Sequence, residues 1–176
     1  MSNYRRLWIP GGTYFFTVNL LRRKENDLLI RQIDLLRAVI KSVRHHHPFL
    51  IHAWVILPEH MHCVLSFPEG DADFEKRWRL IKGQFSKQLP AFEWRTEVQK
   101  RRNERGIWQR RYWEHAIRNE EDFCAHMDYV HINPLKHGLV TRVSDWPYST
   151  FHHLVKMGIY PPDWAGENSV LPNYQD

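Results

Sequence analysis

Residues 49–57 and 60–67 are two apolar, β-favouring runs separated only by Pro58 and Glu59. Strands joined by so short a link pair antiparallel. The middle of the chain is thereby committed to a β-hairpin, and every other element must be arranged around it. Side chains alternate between faces along a strand. His60 and His62 therefore share a face, and Met61 points the opposite way. Two neutral imidazoles on one face are half of a site for a divalent metal. Such a pair is also common on strands that bind no metal, so the rest of a site has to come from elsewhere.

Around that hairpin, periodicity sets out the other elements. Gly11-Gly12 marks a turn, and residues 14–20 read as a first strand. Over 28–44, Leu29, Ile33, Leu36, Ile40 and Val43 recur at helical spacing, with Arg37, Lys41 and Arg44 on a stripe beside them. A basic stripe of this kind serves as a solvated face or as a phosphate contact, and the solvated face is the commoner use. Residues 74–89 form a second long helix with Phe74, Trp78, Ile81, Phe85 and Leu89 as its apolar face. Its other faces carry Lys76, Arg77, Arg79, Lys82 and Lys87. Segment 91–106 is charged and shows no clear period. Residues 107–117 interleave aromatic and basic side chains and read as a fourth strand.

Asn119 is a good N-cap, followed by Glu120, Glu121 and Asp122 in the first turn of a third long helix. That helix should end near Asn133, because Pro134 cannot continue it. A short helix is expected at 149–157. The order strand, helix, strand, strand, helix, strand, helix predicts an α+β, ferredoxin-like split βαβ fold, with one antiparallel sheet and helices on one face. Residues 1–165 read as a single domain and 166–176 as a flexible C-terminal tail.

An excess of 25 Lys and Arg over 20 Asp and Glu gives a net charge of +5, which suits a polyanionic partner as well as a merely soluble basic protein. With 8 Trp, 7 Tyr and 9 Phe the chain has aromatic rings for a core and for stacking on bases. Cys63 and Cys124 form no CxxC pair and no disulfide framework, which points to a reducing cytoplasm. No apolar run has the length of a membrane span or the place of a signal peptide, so no membrane partner is expected.

The third helix carries a second cluster of chemistry. At about 100° per residue, Phe123, Met127, Val130 and Pro134 form a core stripe, and Asp122, His126, Tyr129 and Asn133 form a polar stripe beside it. Tyr129 and Asn133 are one turn apart on the same side. Two histidine nitrogens and one Asn carbonyl oxygen would make a site with open positions, suited to Mg²⁺ or Mn²⁺ in phosphoryl transfer. A tyrosine hydroxyl one turn away could attack a phosphodiester held there. Against this, a lone helical Tyr is more often a packed ring with a wet hydroxyl. His131 and His137 read as surface residues, and no fourth ligand stands at structural-zinc spacing.

These residues resemble a known group. His60-Met61-His62 matches the HUH signature of histidine, hydrophobic residue, histidine. Tyr129-Val130-His131-Ile132-Asn133-Pro134-Leu135-Lys136-His137-Gly138 resembles the Y-x-H-x-N-P-x-K-H-G block of single-tyrosine transposases, nearest to the REP-associated tyrosine transposase branch. Similar blocks lie at 10–18, 77–82, 108–115 and 145–149. The resemblance implies an HUH endonuclease fold, Mg²⁺ or Mn²⁺ held by His60, His62 and Asn133, and Tyr129 as nucleophile. It implies attack on single-stranded DNA, a 5′-phosphotyrosine, a released 3′-OH, and substrates that are REP-like palindromic hairpins with a short guide sequence. Glu59 stands where the group often has Asn or Asp. It is read as either tuning the metal from behind or facing solvent.

Arg5, Arg6, Lys82, Arg110 and Arg111 are the candidate backbone contacts, and Tyr4, Trp8 and Trp113 the candidate stacking rings. Monomer and homodimer are both compatible with the family. A non-catalytic hairpin-DNA-binding protein of the same fold is the alternative, and a hydrolytic phosphoesterase using activated water is a third reading.

Overall fold

Strand β1 (Thr13–Asn19) is buried on both faces, and that fact shapes the molecule. Tyr14, Phe16 and Val18 point one way and Phe15 the other, so each side of the sheet must be covered. In this computed structural model, residues 7–91 and 93–164 are described. Tyr4, Arg5, Arg6 and the expected tail at 166–176 lie outside them. The remaining elements are α1 (Leu28–Arg31), α2 (Ile33–His46), β2 (Leu50–Ile56), β3 (His60–Ser66), α3 (Phe74–Gln88), α4 (Glu97–Arg101), β4 (Trp113–Ala116), α5 (Glu120–Lys136) and α6 (Phe151–Lys156), with a 3₁₀ turn at Val143–Asp145.

The four strands form one antiparallel sheet in the order β2-β3-β1-β4. The expected hairpin is β2 and β3, and His62 lies between Val55 on one side and Thr17 on the other. The α+β class and split βαβ plan stand as expected. Both crossover helices, α2 and α3, pack on the face carrying Tyr14, Phe16, Met61 and Cys63. The expectation of helices on one face alone needs correction. Helix α5 covers the opposite face, where Met127, Val130 and Ile132 meet Phe15, Val55 and Val64. Strands that are apolar on both sides leave no face for water.

Three boundaries also differ. The helix expected over 28–44 breaks at Gln32, whose backbone leaves helical geometry, and α2 runs on to His46. The fourth strand is shorter than 107–117. Trp108 bridges Leu20, but the chain then leaves the ladder until Trp113, while Tyr112 turns inward onto Phe16 and Trp78. Helix α5 continues through Pro134 to Lys136. Proline there removes a single backbone donor in the last turn, and the amides of His137 and Leu139 still bond back to Asn133 and Pro134. Among the described residues no helix is long and apolar enough to cross a membrane.

Arg77, placed by the helical wheel among the polar residues of α3, is only 5% exposed. Its guanidinium donates to the carbonyls of His47 and Pro48 and to both carboxylate oxygens of Asp71. It thus ties the end of α2 to the loop before α3. Arg77→Ala strands these acceptors, and should lower unfolding free energy by about 3 kcal/mol in a denaturant titration.

Candidate active site

His60 and His62 sit side by side on the α5 face of β3, with ring centroids 4.8 Å apart and planes at 86°. Both are buried. Each is held from behind through Nδ1. His60 Nδ1 lies 2.9 Å from Glu59 Oε1, and His62 Nδ1 lies 2.8 Å from Thr17 Oγ1 on the neighbouring strand. Burial pushes the Glu59 carboxyl up, but hydrogen bonding and charge from His60 and a hydrogen bond from Arg23 outweigh it and bring the pKa down to about 2. The ionised carboxylate can only accept. His60 Nδ1 is therefore the donor in that bond, and in the neutral imidazole the lone pair is on Nε2. This is how metal-ligating histidines are commonly oriented.

Helix α5 and its C-cap residue bring Tyr129 and His137 against the pair. The Tyr129 ring, 1% exposed, packs edge-on to His62 with centroids 5.3 Å apart. The His137 ring lies 5.0 Å from that of His60. Asn133 stands one turn from each along the same helix. Its amide Nδ2 donates to the Tyr129 carbonyl at 3.3 Å, which fixes the direction of Oδ1. His60 Nε2 and Asn133 Oδ1 are both buried and have no hydrogen-bond partner among the described residues. An orphaned buried polar atom costs about 1–3 kcal/mol. Two such atoms, one on β3 and one on the helix turn between Tyr129 and His137, fit a divalent cation taking N and O ligands.

The tyrosine hydroxyl has its own cationic neighbour. Lys136 Nζ donates to Tyr129 Oη at 3.3 Å and lies 4.9 Å over the ring. Sequence reasoning missed Lys136, Thr17, Arg23 and the position of His137. Thr17 follows from strand register, which the sequence does not display, and Lys136 from its place two turns beyond Tyr129.

The polar stripe of α5 is divided. Asp122 and His126 turn to β4, where the Asp122 carboxylate accepts from His115 Nε2 at 2.9 Å and from the Arg118 backbone N–H and Nε, each at 3.0 Å. Burial raises the Asp122 pKa, yet the bonds from Arg118 and His115 hold it well below the usual carboxylate range. Phe15 stands between the two halves, 4.9 Å from His126 and 5.6 Å from Tyr129. His131 is fully buried, contrary to its reading as a surface residue. Phe151 and Tyr160 cover it, and its Nε2 lies 3.0 Å from Thr150 Oγ1.

The expected backbone contacts are scattered. Lys82 faces inward, donating to the Gln109 carbonyl at 3.0 Å, and burial lowers its pKa to about 8. Arg110 and Arg111 are exposed in the segment before β4, so strand alternation does not sort them, and Arg110 pairs with Glu104 at 3.4 Å.

Comparison with known proteins gives a consistent set of relatives. A REP-associated tyrosine transposase of Escherichia coli K12 is 53% identical over 167 residues, covering 95% of this chain and 93% of the relative. A Haemophilus influenzae Rd protein assigned to the same kind is 46% identical over 168 residues, 94% of each chain. The solved structure of a REP-associated tyrosine transposase bound to a REP hairpin superposes with a TM-score of 0.83 at 50% identity, covering 99% of this chain and 95% of that one. No family model matches the chain.

Proposed function

The chain belongs to the family of REP-associated tyrosine transposases, and on that premise we propose that it cuts and rejoins single-stranded DNA beside REP-type hairpins. Residues 1–165 act as one catalytic domain. Tyr129 is the nucleophile, and His60, His62 and Asn133 hold the metal. The observation that carries this reading is two buried atoms without a hydrogen-bond partner among the described residues, His60 Nε2 and Asn133 Oδ1, with the buried Tyr129 ring packed against His62.

Tyr129 Oη attacks the phosphorus of the scissile phosphodiester. The new O–P bond forms as the P–O3′ bond breaks. The phenol gives up its proton, the departing 3′ oxygen gains one, and the 5′ phosphate stays on the tyrosine. The Lys136 ammonium favours the oxygen in its charged form as it attacks. A bound Mg²⁺ or Mn²⁺ would polarise the phosphoryl oxygen and offset the charge that develops on it. The ester bond is kept as a protein link, so the 3′-OH of the same or another strand can reverse the attack without an energy source.

The test is incubation of the protein with a 5′-flanked REP-type hairpin and Mg²⁺ or Mn²⁺, followed by a denaturing gel. A labelled protein–DNA band is expected. Cut DNA without that band would assign the attack to water, and binding without cutting would leave the non-catalytic alternative.

A further inference from the structure

The groove between α2 and the edge strand β2 lies on the face of the sheet opposite the His60–His62 pair. It encloses about 270 Å³ over a floor that includes Ile40, Trp54 and Ile56, with Tyr148 on one wall. Arg37, Lys41 and Arg44 form its rim, all exposed, and no carboxylate lines it. The cations recur at i, i+4 and i+7, one stripe of the helix. Trp54 is only 5% exposed, and its indole Nε1 has no hydrogen-bond acceptor among the described residues. The Arg37 guanidinium lies 5.7 Å over the Tyr148 ring.

An apolar slot with an aromatic wall and a purely cationic rim fits a flat ring that carries an anion. A peptide strand fits poorly. The outer edge of β2 is already paired, since Ile56 N–H donates to the Tyr148 carbonyl and Thr150 N–H to the Trp54 carbonyl. We propose that this groove holds an unstacked nucleotide of the bound DNA, remote from the scissile phosphate. The base enters over Ile40 and Ile56 beside Tyr148, and its phosphate lies on Arg37 and Lys41. Arg44 contributes charge while its Nε stays bonded to the Phe49 carbonyl at 2.8 Å. This rests on the reading that the substrate is hairpin DNA. DNA held here and at Tyr129 contacts both faces of the sheet.

The test uses the full chain and a 5′-flanked REP-type hairpin, with affinity measured over a salt series. Arg37→Ala and Lys41→Ala should each make the plot of log affinity against log salt shallower by about 0.7–0.9. Tyr148→Leu should weaken binding with the slope unchanged. All three should form adducts at the wild-type rate on a short unpaired oligonucleotide spanning only the cleavage point. Wild-type affinity and slope in variants that melt as the wild type does would overturn the proposal, and would leave an acidic protein as the occupant to seek. Shallower slopes in a protein that never forms adducts would sink the catalytic reading while supporting this one.

Discussion

Tyr129→Phe is expected to bind a REP-type hairpin as tightly as the wild type and to form no covalent protein–DNA adduct. The ring of Tyr129 packs against His62 at 5.3 Å and Phe15 at 5.6 Å, and phenylalanine keeps both contacts. The hydroxyl and the bond it accepts from Lys136 are lost. Stability should change by no more than about 1 kcal/mol. Cleavage should fall by about 10⁴-fold or more, because the attacking oxygen itself is removed. A denaturing gel with end-labelled DNA reads both outcomes, and an adduct band of undiminished intensity would remove Tyr129 from its role.

His60→Ala should have the second largest effect. It deletes one of the buried atoms left without a partner and takes from Glu59 its hydrogen-bonded neighbour, leaving Arg23 at 3.2 Å as a partner of that carboxylate. Mn²⁺ affinity and cleavage should both drop by more than about 10²-fold, beyond what loss of an outer partner costs. Glu59→Gln is the graded companion. It keeps a group that can accept from Nδ1 but loses the charge that makes Nε2 more basic, so affinity should fall by about 10- to 100-fold. High Mn²⁺ should restore cleavage to Glu59→Gln and fail to restore it to His60→Ala. Equal rescue of both would mean that His60 is not a ligand.

Much of this was legible in the chain because it depends on local rules. The two-residue link between β2 and β3, the shared face of His60 and His62, and the one-turn spacing of Tyr129 and Asn133 all follow from strand and helix periods. What escaped depends on contacts between distant segments. A helical wheel puts Asp122, His126, Tyr129 and Asn133 on one stripe, but it does not say which strand lies opposite each turn. The first two meet His115 of β4, and the last two belong to the turns that lie beside His62 and His60 of β3. His131 looks solvent-facing until Phe151 and Tyr160 close over it. Arg77 looks like one more surface cation until the carbonyls of His47 and Pro48 arrive from another helix. Pro134 looks like a stop in the sequence, yet only one donor is lost so near the end of α5, and the extra residues carry the helix to Lys136 and its C-cap His137.

The two histidine clusters also offer the most direct test. Crystals soaked in Mn²⁺ locate the ion by its anomalous scattering. The peak is expected at Nε2 of His60 and His62 and Oδ1 of Asn133, beside the Tyr129 hydroxyl. A peak instead among His115, Asp122 and His126, whose ligand atoms lie within 4.8 Å of one another, with none at His60, would contradict the account.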